Sequence, residues 1–201
     1  MEFFDDAFKA FEGVEYVRGE FLDDKFKAKI TITHNSMALN APAVKLFPDC
    51  QHFSVYLDEQ NARLIVVPTT EDDVNGLKLA HIRNGKIVPR TCTLRYFSPR
   101  LFRFMEWHQN AKYRMLARLR EFGDKKVMMF DLVDSYQVIS SVWECEEGKK
   151  HRTTRFILPA AWKGRFGYTW NELAEKERIG FNVPMITINH KTGEVIRLEN
   201  L

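Results

Sequence analysis

One stretch of this chain, AKITITHNSMALNAPAVKLFPDCQHFSVYLDEQNARLIVVP, constrains the fold more than any other. It begins at Ala28–Thr33, where apolar and polar residues alternate as in a half-buried strand. A short apolar run follows, with Asn40 as a candidate N-cap and a proline near the first helical position. The β-rich runs Phe53–Leu57 and Arg63–Val67 flank a polar loop. The stretch therefore predicts a strand, a short helix and a hairpin in that order.

This order recurs twice more along the chain. A second copy opens at Thr91–Leu94 and a third at Arg152–Ile157. The helix-starting prolines, Pro42, Pro99 and Pro159, are 57 and 60 residues apart. The later hairpins are predicted as Tyr113–Phe122 with Val127–Val133, and Val183–Asn189 with Glu194–Leu198. We predict a strand-rich α+β fold with up to three related strand–short helix–β-hairpin units.

Residues Pro99–Phe122 fit two structures. Their apolar side chains fall on one side of a single long helix with Gly123 as its C-cap, yet the residues from Arg114 to Arg120 also alternate as in a strand. We favour a helix that ends near His108 and is followed by a hairpin, and either structure places Arg114 and Arg118 on the same side. The strongest single hairpin signal is Asn84-Gly85, since this dipeptide suits a type I′ turn.

The predicted organisation has four segments. They are an acidic amphipathic N-terminal segment (1–24), a first strand–helix–hairpin unit (25–74), a basic second unit (75–136) and a third unit (137–201). Hydrophobic residues make up 45% and charged residues 28%, as in an ordinary globular protein. The three cysteines lack pairing or metal spacing, which is typical of a reducing compartment, and no apolar run has the length of a transmembrane helix. We expect a cytoplasmic protein with no membrane partner.

Charge is segregated along the chain. Met1–Asp24 has eight acidic and two basic residues, whereas Arg83–Lys126 has twelve basic and three acidic ones, and Lys149–Arg165 has six basic and none acidic. Such segregation indicates either a solvated basic face or a surface for an acidic partner or nucleic acid. The candidate binding residues are Arg100, Arg103, Arg114, Arg118, Arg120, Lys125, Lys126, Lys149, Lys150, Arg152 and Arg155.

The sequence offers little for catalysis. The six histidines show no metal-ligand spacing, and no phosphate-binding glycine loop is present. The paired aspartates lie in polar flanks and linkers, where solvated acids are the ordinary interpretation. We predict no catalytic residues, no metal site and no cofactor, and hence no enzyme.

The segment Ile30–Val67 resembles the swapped-hairpin fold of the AbrB/MazE family of DNA-binding regulators and antitoxins. In that family a strand, a proline-led helix and a hairpin interlock with a second copy, which implies a homodimer here. The chain to about Tyr136 is also similar to uncharacterised proteins of phages and mobile elements of Gram-positive bacteria, through Ile30-Thr31-Ile32-Thr33, Glu71-Asp72-Asp73, Leu77-Lys78-Leu79, Trp107, Tyr113-Arg114 and Phe130-Asp131-Leu132. One departure is the loop after the first strand, where DNA-binding members usually carry Gly-Arg and this chain has His34-Asn35-Ser36-Met37.

Two functions follow as hypotheses. The first is a DNA-binding regulatory or accessory protein of a phage or mobile element, which contacts double-stranded DNA mainly at its phosphates. The second is a protein-binding inhibitor or antitoxin-like module, such as a phage-encoded, anti-CRISPR-like inhibitor of a host defence nuclease. It would use the same basic residues to occupy an acidic or nucleic-acid-facing surface of its partner. The missing Gly-Arg favours the second hypothesis, and the segregated charge suits both.

Overall fold

A computed structural model describes residues 15–22, 25–122, 125–144, 149–169, 172–173, 185–188 and 195–198. Most of the amphipathic face predicted within Met1–Asp24 lies outside these residues. Of the turn predicted at Gly123-Asp124-Lys125-Lys126, the first two residues also lie outside them, whereas Lys125 and Lys126 begin a strand. The chain divides into two compact units. The small unit comprises Met1–Phe26 and Ala160–Val183, and the large unit comprises Lys27–Pro159 and Pro184–Leu201.

Strands dominate the described residues, as predicted for a strand-rich α+β fold. In chain order they are β1 (Glu15–Val17), β2 (Lys29–Thr33), β3 (Ser36–Leu39), β4 (His52–Asp58), β5 (Arg63–Thr69), β6 (Leu77–Lys78), β7 (Ala80–Arg83), β8 (Lys86–Pro89), β9 (Thr91–Thr93), β10 (Lys112–Leu116), β11 (Arg118–Phe122), β12 (Lys125–Asp131), β13 (Tyr136–Glu144), β14 (Lys150–Ile157), β15 (Gly167–Thr169), β16 (Met185–Ile188) and β17 (Val195–Leu198). Among the described residues, α-helices span Ala41–Lys45 (α1) and Phe97–Phe104 (α2), Glu172 and Leu173 are also helical, and 3₁₀ turns span Gly19–Phe21, Leu132–Asp134 and Ala160–Trp162. No helix among the described residues is long and apolar enough to cross a membrane.

The large unit contains two antiparallel sheets. The ribbon sheet has the strand order β14-β13-β10-β2-β3-β9, and the hairpin sheet has the order β11-β12-β5-β4-β16-β17. The short strand β6 also pairs with β4, and β7 and β8 form a separate hairpin. Apolar residues from one face of each of these two sheets, together with residues of the helices α1 and α2, meet in one buried core.

The core follows from the alternation in the sequence. Ile30 and Ile32 on β2 are fully buried, and their partners Leu39 and Met37 on β3 are buried beside them. On the hairpin sheet, Phe53 and its same-face neighbours fill the other side of the core. Each such side chain stabilises the fold by about 1.5–3 kcal/mol relative to exposure.

The first predicted unit is confirmed in its strand, helix and hairpin. The side chain of Asn40 caps α1 by accepting a hydrogen bond from the Ala43 amide at 3.1 Å, and a proline occupies the first turn. The hairpin β4–β5 lies where it was predicted. Strand β3 was not predicted, because its four residues are too few to show a clear period. It forms a hairpin with β2 around His34 and Asn35.

The second unit is confirmed in its helix and corrected in its hairpin. Helix α2 ends at Phe104 and a strand follows, so the single long helix is wrong. The predicted strand Tyr113–Phe122 is two strands in different sheets: β10 pairs with β2 and β13, and β11 pairs with β12. The chain crosses between the sheets at Ala117, whose amide donates to the Ala28 carbonyl at 2.9 Å. Arg114 and Arg118 therefore lie on strands of different sheets.

The third unit has the predicted element order, with a 3₁₀ turn in place of the α-helix. The three terminal hairpins lie side by side in the hairpin sheet. The opening strands differ, since β2 is central in the ribbon sheet while β9 and β14 are its two edges. A repeat relationship among the three segments stays a prediction. The two compact units do not coincide with the predicted segments. The predicted third segment, 137–201, is divided between them, since Ala160–Val183 belongs to the small unit and Pro184–Leu201 to the large unit.

The small unit is organised around one buried cation. Arg18 is only 4% exposed, and its guanidinium carbon lies 3.9 Å from the ring centroid of Trp162 and 4.0 Å from that of Tyr168. Strands β1 and β15 pair beside it, and a Cβ on Gly167 would lie 1.7 Å from the Tyr16 carbonyl oxygen. Only glycine therefore permits this pairing.

A charged pair lies in the same unit. The Arg165 guanidinium donates hydrogen bonds to both carboxylate oxygens of Glu172, and the Thr169 amide donates to the same carboxylate at 2.9 Å. These bonds favour the ionised carboxylate, and the pKa of Glu172 is lowered to about 2.

Candidate nucleic-acid interface

The basic segment Lys149–Arg155 lies on a two-stranded ribbon that extends beyond its sheet. Along β13, the neighbouring strand β10 pairs with Tyr136–Val138 only. On the other side of β13, strand β14 pairs with it as far as Glu144. Over the six residue pairs from Ile139–Arg155 to Glu144–Lys150, the two strands have only each other as partners among the described residues. At about 3.4 Å per residue, this β13–β14 ribbon is roughly 20 Å long.

Composition explains why the ribbon forms without a core. Its strands are rich in β-branched and aromatic residues, which favour extended backbone. At its base the rings of Tyr136 and Phe156 lie 6.1 Å apart, and further out Arg152 donates a hydrogen bond to the Ser140 hydroxyl at 3.3 Å. Every residue of β14 is exposed to solvent.

Cations occupy both faces of the ribbon. Alternation along β14 places Lys150 and Arg152 on one face and Arg155 on the other, with Lys149 immediately before the strand. No residue of β14 is acidic, and Glu144 is the acidic residue of the paired stretch on β13. The ribbon thus carries exposed positive charge in all directions around its axis.

The other predicted residues lie elsewhere. Arg118, Arg120, Lys125 and Lys126 belong to the β11–β12 hairpin, while Arg100 and Arg103 are exposed on α2 and Arg114 is half-buried on β10. The register shows that the ribbon extends past the N-terminal end of β10, whereas β11 follows the C-terminal end of β10. The ribbon and the β11–β12 hairpin are therefore connected to opposite ends of β10. Arg118 also lies 3.9 Å from the Asp134 carboxylate, which offsets its charge. The predicted set is therefore divided among several places, and the ribbon is the part in which every residue of the basic strand β14 is exposed.

A polar groove of roughly 550 Å³ opens elsewhere on the large unit, between the loop after β5 and strand β9. Its carboxylate Asp73 accepts hydrogen bonds from the Ser54 and Thr69 hydroxyls and from the Asn75 amide, so it organises the loop. Burial raises the pKa of the Cys92 thiol at the groove wall, which leaves it protonated at neutral pH. The described residues contain no group of three side chains suited to hold a metal ion.

The loop that carries Gly-Arg in DNA-binding AbrB/MazE proteins has a structural role in this chain. The ring of His34 makes an edge contact with Phe102 at 5.5 Å, the Asn35 carbonyl accepts a hydrogen bond from the Leu94 amide at 2.8 Å, and Met37 is fully buried. The loop therefore presents no arginine or lysine to a ligand.

Comparisons of the chain with protein-family models, with curated proteins and with solved structures gave no match. The AbrB/MazE resemblance accordingly stays a prediction, and the functional argument rests on the residues of the chain.

Proposed function

We propose that this protein binds double-stranded DNA through the β13–β14 ribbon and acts as a non-enzymatic regulatory or accessory factor. The observation that carries the proposal is the ribbon's extension beyond its sheet with a fully exposed, acid-free basic strand. The absence of Gly-Arg from the first loop by itself favours the inhibitor, and for a DNA-binding protein it leaves the ribbon as the expected contact.

The dimensions support this partner. The major groove of B-DNA is about 12 Å wide and admits a two-stranded β-ribbon. Side chains on both faces of the ribbon would then meet the phosphates on both walls of the groove, and each neutralised phosphate releases counterions. Hydroxyls on the ribbon, such as those of Ser140 and Thr154, add hydrogen-bond donors for phosphates or base edges.

Salt dependence of binding tests the proposal. Replacing Lys149, Lys150 and Arg152 by alanine should lower the slope of log affinity against log salt by about 2.7, since each phosphate contact contributes about 0.9. The matched control replaces three exposed cations elsewhere, Lys45, Arg95 and Lys163, and should leave the slope unchanged. Mobility shifts on a mixed-sequence duplex between 50 and 200 mM salt supply the measurement.

Two results would contradict DNA binding through the ribbon. One is the absence of any shift by the unaltered protein at the lowest salt concentration. The other is an equal loss in the ribbon variant and in the control variant, which would indicate attraction to net charge alone. Circular dichroism of both variants excludes unfolding as the cause of either result.

The protein-binding inhibitor is retained as a second candidate because of one observation. Strand β14 has no neighbour on its outer edge among the described residues, and Phe156, Ile157 and Leu158 are 44–58% exposed along and just beyond it. Such an edge accepts an extended strand of another protein. Replacing Ile157 and Leu158 by serine should abolish a protein complex captured from nuclease-treated host lysate, while leaving the salt slope of DNA binding unchanged.

The homodimer is likewise a proposal, and charge restricts its geometry. A symmetric antiparallel pairing of β14 with its copy, centred between Thr153 and Thr154, would place Arg152 opposite Arg155 of the partner. Like charges directly opposite destabilise a strand pair. We therefore expect a dimer to use another edge, and light scattering should give twice 23.7 kDa when the dimer forms.

A further inference from the structure

The ribbon sheet has a second face, opposite the core, whose composition is unusual. Ile30, Ile32, Met37, Tyr113 and Met115 are directed into the core, so the residues between them face the other way. Five of these outward residues carry hydroxyls, and together we name them the hydroxyl face: Thr31, Thr33, Ser36, Thr91 and Thr93.

The register aligns these residues in rows across the strands. One row runs from Arg114 through Thr31 and Ala38 to Thr91. The next row joins Thr33, Ser36 and Thr93. Neighbouring strands lie about 4.8 Å apart, but the hydroxyls of Thr33 and Ser36 approach to 2.7 Å in a hydrogen bond with each other. Ala38 has no hydrogen-bonding group and interrupts the first row.

The charges of this surface have one sign. Lys112 and Arg114 lie on the same face of β10 as the row of Thr31, and neither belongs to an ion pair among the described residues. On β2, β3, β9 and β10 the outward positions contain no aspartate or glutamate. Threonines alone would follow from strand propensity, but a solvent-facing sheet ordinarily mixes both charges. The missing carboxylates therefore point to an anionic ligand.

The same face of the sheet connects these cations to the ribbon through two buried residues of β13. Lys112 is opposite Val138, and Val138 is opposite Phe156, so the same sheet face leads outward to Thr154, Arg152 and Lys150. Tyr136 and Val138, which are 5% and 3% exposed, lie on this face between the two sets of cations, beside the exposed Phe156, so no open surface joins the two sets across β13. A polyanion bound at the ribbon would therefore reach Lys112 and Arg114 by spanning these two buried residues.

We propose that the hydroxyl face, with Lys112 and Arg114, binds the sugar–phosphate backbone of the DNA segment flanking the one held by the ribbon. This inference rests on the proposed function and extends its binding site to residues outside the ribbon. Lysine and arginine would neutralise phosphates, and the hydroxyls would donate hydrogen bonds to phosphate oxygens, contacts that position DNA without reading its sequence.

The test compares the double variant Lys112→Ala/Arg114→Ala with the control Lys45→Ala/Arg95→Ala. The first should lower the salt slope of DNA binding by about 1.8, corresponding to two phosphate contacts, and should shorten the hydroxyl-radical footprint at one end. The control should leave both unchanged. Because Lys112 and Arg114 are half-buried, a glutamine pair at the same positions retains most of the side-chain volume if the alanine pair fails to fold.

The outcomes separate the two proposals. A footprint and slope unchanged in the Lys112/Arg114 variants, with DNA still bound through the ribbon, would overturn the inference and leave the proposed function in place. No DNA binding by the unaltered protein would overturn both. Loss of a complex with an acidic protein in these variants, without any effect on DNA, would identify the face as a protein surface and reject the backbone contact.

Discussion

The Asn40 side chain makes three hydrogen bonds to two segments of backbone, and its removal is the most informative perturbation of the fold. Its Oδ1 accepts from the Ala43 amide at 3.1 Å and from the Lys29 amide at 2.8 Å, while its Nδ2 donates to the Lys27 carbonyl at 2.8 Å. One side chain thereby joins the start of β2 to the start of α1.

The magnitude follows from these bonds. Loss of an N-cap costs about 1 kcal/mol, and each of the two further hydrogen bonds contributes about 0.5–1.5 kcal/mol net. Asn40→Ala should therefore lower the free energy of unfolding by about 3 kcal/mol. With a urea m value of about 2 kcal/mol/M, the unfolding midpoint should fall by about 1.5 M.

A second substitution at Asn40 tests the mechanism. Asn40→Asp keeps the Oδ1 acceptor for both amides but places a carboxylate oxygen against the Lys27 carbonyl, so its cost should be intermediate. Asn110→Ala, at an exposed asparagine, should change stability by no more than about 0.5 kcal/mol. Equal midpoints for the alanine and aspartate variants of Asn40, or an alanine variant as stable as the control, would refute this account.

Two further predictions concern the small unit. Gly167→Ala should separate β1 from β15, because the added Cβ would occupy the position of the Tyr16 carbonyl. Hydrogen exchange at the Arg18 amide, which donates to the Phe166 carbonyl on the other strand's side, should then accelerate strongly. Unchanged protection of this amide would contradict the close approach of Gly167 to Tyr16. Glu172 has a folded pKa of about 2, below its ordinary 4.5, so its stabilising contribution is complete above pH 4.5 and is lost as pH falls through about 2. A carboxyl titration followed by NMR should show this value, and Arg165→Gln should raise it towards 4.5; a pKa that does not respond to the substitution would exclude the guanidinium as its main cause.

Short sequence motifs were sufficient to predict the elements whose structure depends only on neighbouring residues. Asn40 with Pro42 specified the capped helix α1, and Asn84-Gly85 specified the β7–β8 hairpin, where both residues have positive φ. These features need only a few neighbouring residues. A single sequence therefore reveals them.

Features set by distant pairing could not be read in the same way. The alternation over Tyr113–Phe122 continues through Ala117, so nothing in it marks the change of sheet. Likewise, the basic residues Lys149–Arg155 were predicted to lie on a hairpin. Their extension from the sheet depends on β13 having nine residues and its neighbour β10 five. The alternation Lys112-Tyr113-Arg114 could have indicated an outward pair of cations, but only the register reveals the hydroxyl rows beside it.

The pairing of β4 has a consequence during synthesis on the ribosome. One end of its outer edge is covered by the nearby β6, at His52 and Phe53, whereas Tyr56 and Leu57 pair with β16. The latter partner is translated about 130 residues later, which at 5–20 residues per second is a delay of roughly 7 to 26 s. The last residue of the core cluster is Leu132, so for about the final 54 residues of this interval, roughly 3 to 11 s, the nascent chain has an open strand edge beside an otherwise complete core cluster. This is the period in which it most needs protection from other chains.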